Sequence, residues 1–143
     1  MLKVQKMQYD AFIPSRAHPT DAGLDLQCVN DFGLLIGERT LVKLGIAIEI
    51  PDGYEAQIRA RSGLALKNGV TVLNGVGTVD SSYRGELGVI LINHGNDPIN
   101  FKRGDKIAQL VINKIELFEP VEFDALNHSN RGTGGFGSTG VSA

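Results

Sequence analysis

Apolar and polar residues alternate with a period of two along most of this chain. Leu44, Ile46, Ile48 and Ile50 are interleaved with Gly45, Ala47 and Glu49, a pattern that buries one face of a β-strand. Tyr54, Ala56, Ile58 and Ala60 repeat it against Glu55, Gln57 and Arg59. Pro51-Asp52-Gly53 between the two runs is turn chemistry, so they are expected to form a hairpin. Val70 to Leu73 predicts another strand, and Asn74-Gly75 a tight turn into Val76 to Val79. Leu87 to Ile92 is apolar on both faces and predicts a strand covered on both sides; Asn93 to Pro98 reads as a polar turn. Lys106 to Ile115 predicts a strand with Ala108, Leu110 and Ile112 on one face and Gln109 on the other. The one helix expected is a turn or two at Ser62 to Lys67, with Ser62 as candidate N-cap.

Many short strands separated by turn signals predict an all-β sandwich or barrel with one short helix. Apolar patterning stops near Asn127, which divides the chain into a folded body over residues 1–126 and a mobile, glycine-rich arm over 127–143. At 143 residues a single domain can bury roughly 70% of the surface its unfolded chain exposes. A formal net charge of −2 argues against non-specific nucleic-acid binding. Cys28 is the single cysteine, and His18, His94 and His128 are widely spaced, so neither a disulfide nor a zinc cluster is expected. No signal peptide or membrane span is visible, and the chain reads as soluble and intracellular.

Five islands carry residues beyond what folding demands. The arm, Arg131-Gly132-Thr133-Gly134-Gly135-Phe136-Gly137-Ser138-Thr139-Gly140, combines glycines that expose backbone N–H groups with a cation, hydroxyls and one aromatic ring. It approaches a Walker A loop but has no lysine and only a few residues where a helix should follow. A plain Gly/Ser tail is the alternative. Asp25 falls between Leu24 and Leu26, where a carboxylate is costly unless paired, or else faces solvent on the polar side of the strand. Arg61, Ser62 and Gly63 open the short helix, a place that favours an anion; ordinary capping by Ser62 is the alternative.

The densest island runs from Val72 to Glu86. A hairpin around Asn74 and Gly77 can present backbone groups to a base, Asp80 can orient a water, and Tyr83 can pack on a sugar. Alternatively Asp80 is a turn residue, Tyr83 is core, and Arg84 with Glu86 is a cross-strand or interface ion pair; for Arg84 and Glu86 that is the preferred reading. In the last island, Gly104-Asp105 is a turn, with Asp105 stabilising it, and Gln109 can reach a ligand or solvent.

In order, AGLDL, RSGLALK, VLNGVGTVDSSYRGE, RGDKIAQ and RGTGGFGSTG resemble the five signature motifs of the trimeric dUTP diphosphatase (dUTPase) family. The match spans nearly the whole chain. Val79 stands where isoleucine is usual, and Leu24 where many members have tyrosine; neither changes a polar group. The resemblance implies a distorted jelly-roll or β-barrel and a homotrimer with active sites shared between subunits. It implies Mg²⁺-assisted water attack on the α-phosphorus of dUTP, giving dUMP, a precursor for dTMP synthesis, and pyrophosphate.

In that reading Asp80 activates the water, and Gln109 contacts the water site and the α-phosphate. Asn74 and Gly77 recognise uracil, Tyr83 packs under the deoxyribose and Phe136 covers the base. Arg61, Ser62, Gly63, Arg131, Ser138 and Thr139 bind phosphates, while Asp25 holds the metal through water. The expected enzyme is cytoplasmic and binds neither nucleic acid nor membrane. Two rivals share the fold: a dCTP deaminase-like enzyme, for which Glu86 is the nearest candidate glutamate, and a dUTP-sensing regulatory protein with a protein partner.

Overall fold

The computed structural model describes residues 1–138 and residue 140. Eleven strands and one helix follow in the order β1 (Lys3–Lys6), β2 (Gly23–Gln27), β3 (Phe32–Leu34), β4 (Arg39–Lys43), β5 (Ile46–Glu49), β6 (Tyr54–Arg59), α1 (Ser62–Asn68), β7 (Val70–Val72), β8 (Gly77–Val79), β9 (Gly88–Asn93), β10 (Ile99–Phe101) and β11 (Lys106–Lys114). Every pairing is antiparallel. A four-stranded sheet runs β2-β11-β6-β8 and a three-stranded sheet β4-β9-β7, with the pairs β1-β5 and β3-β10 completing the body. The fold is the jelly-roll-like all-β architecture expected, open rather than closed into a barrel.

Alternation decides which residues enter the core. Leu26, Leu44, Ile46, Ile58, Val89, Leu91, Ile107 and Leu110 are all buried. Phe32 and Phe101, directly opposite each other in the β3-β10 pair, stack with ring centroids 4.7 Å apart. The one fully buried polar side chain among the described residues, Asn93, donates to the carbonyls of Leu34 and Asp97 and accepts the Gly95 N–H. Those three bonds satisfy an amide that would otherwise cost about 1–3 kcal/mol to bury.

Two expectations about connection fail, and for one reason: periodicity reports the face of a strand and says nothing of its partner. The turn at Pro51-Asp52-Gly53 exists, with the Tyr54 N–H bonded to the Pro51 carbonyl, yet β5 and β6 form no hairpin. β5 pairs with β1, whereas β6 pairs with β11 and β8. The turn carries the chain between sheets. Asn74-Gly75 behaves alike: the Gly75 N–H bonds the Val72 carbonyl at 3.0 Å, but β7 joins β9 and β8 joins β6. On β9, Val89 and Leu91 face the core while Ile90 is 37% exposed, so within one subunit this strand is covered on one face only.

After β11 the Ile115 N–H bonds the Gly53 carbonyl. Beyond it, residues 116–128 make no hydrogen bond to the body among the described residues. This stretch has no regular secondary structure and leaves Leu117, Phe118, Val121, Phe123 and Leu126 exposed.

Candidate active site

The register of β11 assembles the cleft. Gln109 lies opposite Asp25 on β2 and opposite Arg59 on β6, so the polar face of three adjacent strands converges where α1 leaves β6. The resulting cleft holds about 600 Å³ and is lined by Asp21, Asp25, Arg61, Ser62, Gly63, Lys67, Lys106 and Gln109, among others.

Asp25 does not face solvent. Its carboxylate is 13% exposed, with Oδ2 2.6 Å from Lys106 Nζ and Oδ1 3.4 Å from Arg61 Nε. Arg61 is held from its other side by a bond from Nη1 to the Lys106 carbonyl at 2.9 Å. The two cations repay the cost of placing a charge in this wall, and the carboxylate in turn keeps both beside the cleft. Neither Lys106 nor Lys67 is evident as a site residue from sequence. Their cleft positions follow from strand register and helix phase, which no local motif reports.

Ser62 does not cap α1. Arg61 occupies the N-cap position in extended conformation, and no side chain caps the helix. The first intrahelical bond is from the Ala65 N–H to the Arg61 carbonyl, so the N–H groups of Ser62, Gly63 and Leu64 have no backbone partner. Open space surrounds the position of a Cβ on Gly63. Uncapped donors, a bare glycine and flanking cations form a surface fitted to an anion.

Asp80 and Tyr83 occupy a separate hollow of about 200 Å³ with Thr78, Val79, Glu86, Leu87 and Gly88, sharing no residue with the cleft. The Asp80 carbonyl accepts the Tyr83 N–H, leaving the Asp80 carboxylate with no hydrogen bond or ion pair among the described residues. Tyr83 is not core: it is 45% exposed, lies against Gly85, and donates from Oη to the Glu86 carbonyl at 3.0 Å. Within one chain Arg84 and Glu86 are not partners. Arg84 Nη1 donates to the Ser81 and Tyr83 carbonyls, while Glu86 accepts the Gly45 N–H and pairs with Lys43 at 3.1 Å. Asn74 is exposed at the β7–β8 turn, and Gly77 is buried against Ile58. Asp105 keeps its expected turn role, Oδ2 accepting the Lys102 N–H at 2.7 Å.

No described residue of the arm lines either hollow. Arg131 Nε bonds the Gly134 carbonyl, the Ser138 N–H bonds the Gly135 carbonyl, and Phe136 is fully exposed at φ 48°. Thr139 lies outside the described residues. Within one chain, therefore, Asp25, Arg61, Ser62, Gly63 and Gln109 come together. Asn74, Gly77, Asp80 and Tyr83 lie outside that cleft, and among the described residues those of the arm join neither set.

A metal ion must take what this donor set offers. Among the described residues no three His, Cys, Asp or Glu side chains cluster as a cage, but Asp21 and Asp25 line the cleft. One or two carboxylates fit Mg²⁺, which keeps much of its water and shares phosphate oxygens with a bound nucleotide.

An open antiparallel fold with a cationic, carboxylate-bearing cleft at an uncapped helix start defines an all-β protein with a cleft fitted to an anion. The family model described as dUTPase matches residues 10–140. The chain is 54% identical over 142 residues to the deoxyuridine 5'-triphosphate nucleotidohydrolase of Gloeothece citriformis, covering 99% of this chain and 98% of the relative. It is 52% identical over 139 residues to that of Clostridium tetani, covering 97% and 96%. Among solved structures, a variant of the Staphylococcus bacteriophage 80alpha dUTPase with dUpNHpp superposes with a TM-score of 0.91 at 27% identity, covering 99% of both chains. A variant dUTPase from phage phi11 of S. aureus, described as revealing the coordination of a structural Mg(II) ion, gives 0.82 at 26% identity, covering 90% of this chain and 99% of that one. The chain belongs to the dUTPase family.

Proposed function

We propose that this chain hydrolyses dUTP to dUMP and pyrophosphate, with the triphosphate seated in the cleft between β2, β11 and the start of α1. The observation that carries this reading is the uncapped first turn of α1, flanked by Arg61, Lys67 and Lys106 in a dUTPase-family chain. Water attacks the α-phosphorus, the bond from that phosphorus to the bridging oxygen breaks, and pyrophosphate departs with the bonding electrons. Asp80 takes the water's proton and releases it to solvent. Gln109 orients the α-phosphate, and Ser62, Gly63 and Arg61 donate to phosphate oxygens. Asp25 would hold a nucleotide-bound Mg²⁺ through water, and that ion would supply charge neutralisation. Asn74 and Gly77 read uracil, Tyr83 packs under the deoxyribose, and Phe136, Arg131, Ser138 and Thr139 close over base and phosphates from the arm.

Magnitudes divide the work. Enzymes commonly accelerate reactions by about 10⁶-fold or more, of which a positioned base supplies roughly 10²–10⁴. Positioning and oriented donors must supply the rest.

A homotrimer with shared sites is part of the proposal. Two observations support it: the phosphate cleft and the Asp80 hollow share no residue, and apolar side chains from Leu117 to Leu126 stand uncovered on one subunit. The enzyme is proposed to be cytoplasmic, with free nucleotide as its substrate; among the described residues no helix is long and apolar enough to cross a membrane. The deaminase alternative loses support because both oxygens of Glu86 are engaged by Gly45 and Lys43. The test is product analysis with dUTP and dCTP in Mg²⁺. Pyrophosphate and dUMP from dUTP are expected, and a uracil nucleotide made from dCTP would overturn the assignment.

A further inference from the structure

Gly23 starts β2, opposite Val111, and its backbone does not need glycine, since its φ lies outside the left-handed region. Space is what it provides. A Cβ built on Gly23 would overlap Gln109 Oε1 and approach Gln109 Cδ to 3.2 Å and Cβ to 3.4 Å. At its other end the same carboxamide donates from Nε2 to the Ala60 carbonyl at 3.0 Å. The Gln109 head group is thus pinned between a carbonyl at the end of β6 and a vacancy in β2, at the rim of the cleft.

We infer that Gly23 is a positioning residue: its missing side chain and the Ala60 carbonyl together fix where the Gln109 carboxamide sits relative to the reacting phosphate. This rests on the dUTP-hydrolase reading of the cleft. The atom that would collide is the free end of a flexible side chain, not backbone, so a methyl group at Gly23 displaces Gln109 and leaves the β2-β11 ladder intact. A displacement of about 1 Å at a positioning group can lower a rate by roughly 100-fold. Sequence could not separate this role from a turn or bulge glycine, because the demand comes from a residue 86 positions later.

The test is a double-mutant cycle on the full chain, reading kcat and KM for dUTP together with thermal midpoint. Gly23→Ala should lower kcat by about 10- to 100-fold with KM within about 2-fold, and Gln109→Ala should lower kcat at least as far. Gly23→Ala in the Gln109→Ala background should add no further loss, because the colliding atom is gone. If Gly23→Ala alone fails to fold, Gln109→Ala should restore folding. Multiplying losses in kcat, a wild-type kcat in Gly23→Ala, or failure of Gln109→Ala to rescue folding would each overturn the inference. A wild-type chain without dUTP turnover would overturn the hydrolase reading and this inference together; an active wild type with an uncoupled pair would overturn the inference alone.

Discussion

Gln109 and Asp25 face each other across the β2-β11 ladder, so one strand register places a carboxamide and a carboxylate on the same cleft wall. Around that pair the charge is arranged as a short chain, Lys106 to Asp25 to Arg61. Asp25→Asn removes the central charge and frees both cations. Stability should fall by about 1 kcal/mol, because Lys106 and Arg61 are partly solvated. The Mg²⁺ concentration giving half-maximal dUTP hydrolysis should rise. A urea midpoint and a Mg²⁺ titration check the two effects, and an unchanged Mg²⁺ requirement would remove the metal from Asp25.

Asp80 offers a cleaner substitution. Its carboxylate makes no bond among the described residues, so Asp80→Asn should change stability by less than about 0.5 kcal/mol. Turnover should be abolished, with a loss of at least about 10²–10⁴-fold, while binding of a non-hydrolysable dUTP analogue stays largely intact. Full activity in this variant would sink the role given to Asp80.

Strand faces are legible in the sequence here; strand partners are not. The alternations at Leu44–Ile50 and Tyr54–Ala60 place Leu44, Ile46, Ile48, Ile50, Ala56 and Ile58 in the core, although Tyr54 stays exposed and Ala47 is buried from the other face; the intervening turn serves a change of sheet as well as it serves a hairpin. Ser62 reads as a cap because its residue type favours that position, but Arg61, held by Asp25 and the Lys106 carbonyl, takes the N-cap place. Glu86 finds Lys43 rather than its near neighbour Arg84, because β4 pairs with β9 and puts Lys43 opposite Gly88. The five motifs name the candidate residues. How many hollows they occupy in one subunit depends on topology that no motif encodes.

The arm can be tested by removal. Deleting residues 131–143 should leave the thermal midpoint of the body nearly unchanged, because Arg131, Gly134 and Ser138 bond only within the arm. Hydrolysis of dUTP should fall sharply. Unchanged kcat/KM would return this segment to a plain Gly/Ser tail.

Cys28 supplies a pH signature. It is fully buried and donates from Sγ to the Lys102 carbonyl at 3.0 Å. Burial pushes its thiol above the ordinary range. Below about pH 8.5 both folded and unfolded thiols stay protonated. Above it the unfolded thiol ionises first, so this group costs stability as pH rises. Cys28→Ala should therefore lose less stability than wild type between neutral and alkaline pH, measured by urea midpoints. The native thiol should also resist an aromatic disulfide reagent that reacts fully in denaturant.

Among the described residues the last strand, β11, is an inner strand of the largest sheet. β11 separates β2 from β6 in that sheet, joining two strands made earlier in synthesis to a segment made later. Such long-range pairing slows folding, and here it also sets its timing on the ribosome, because β2 and β6 remain open edges until Lys106–Lys114 has emerged. A chain that stops short of β11 carries two unpaired strand edges, which are templates for aggregation. A product that ends before β11 cannot keep half of the cleft: the ladder that finishes the sheet is the one that brings Gln109 to Asp25.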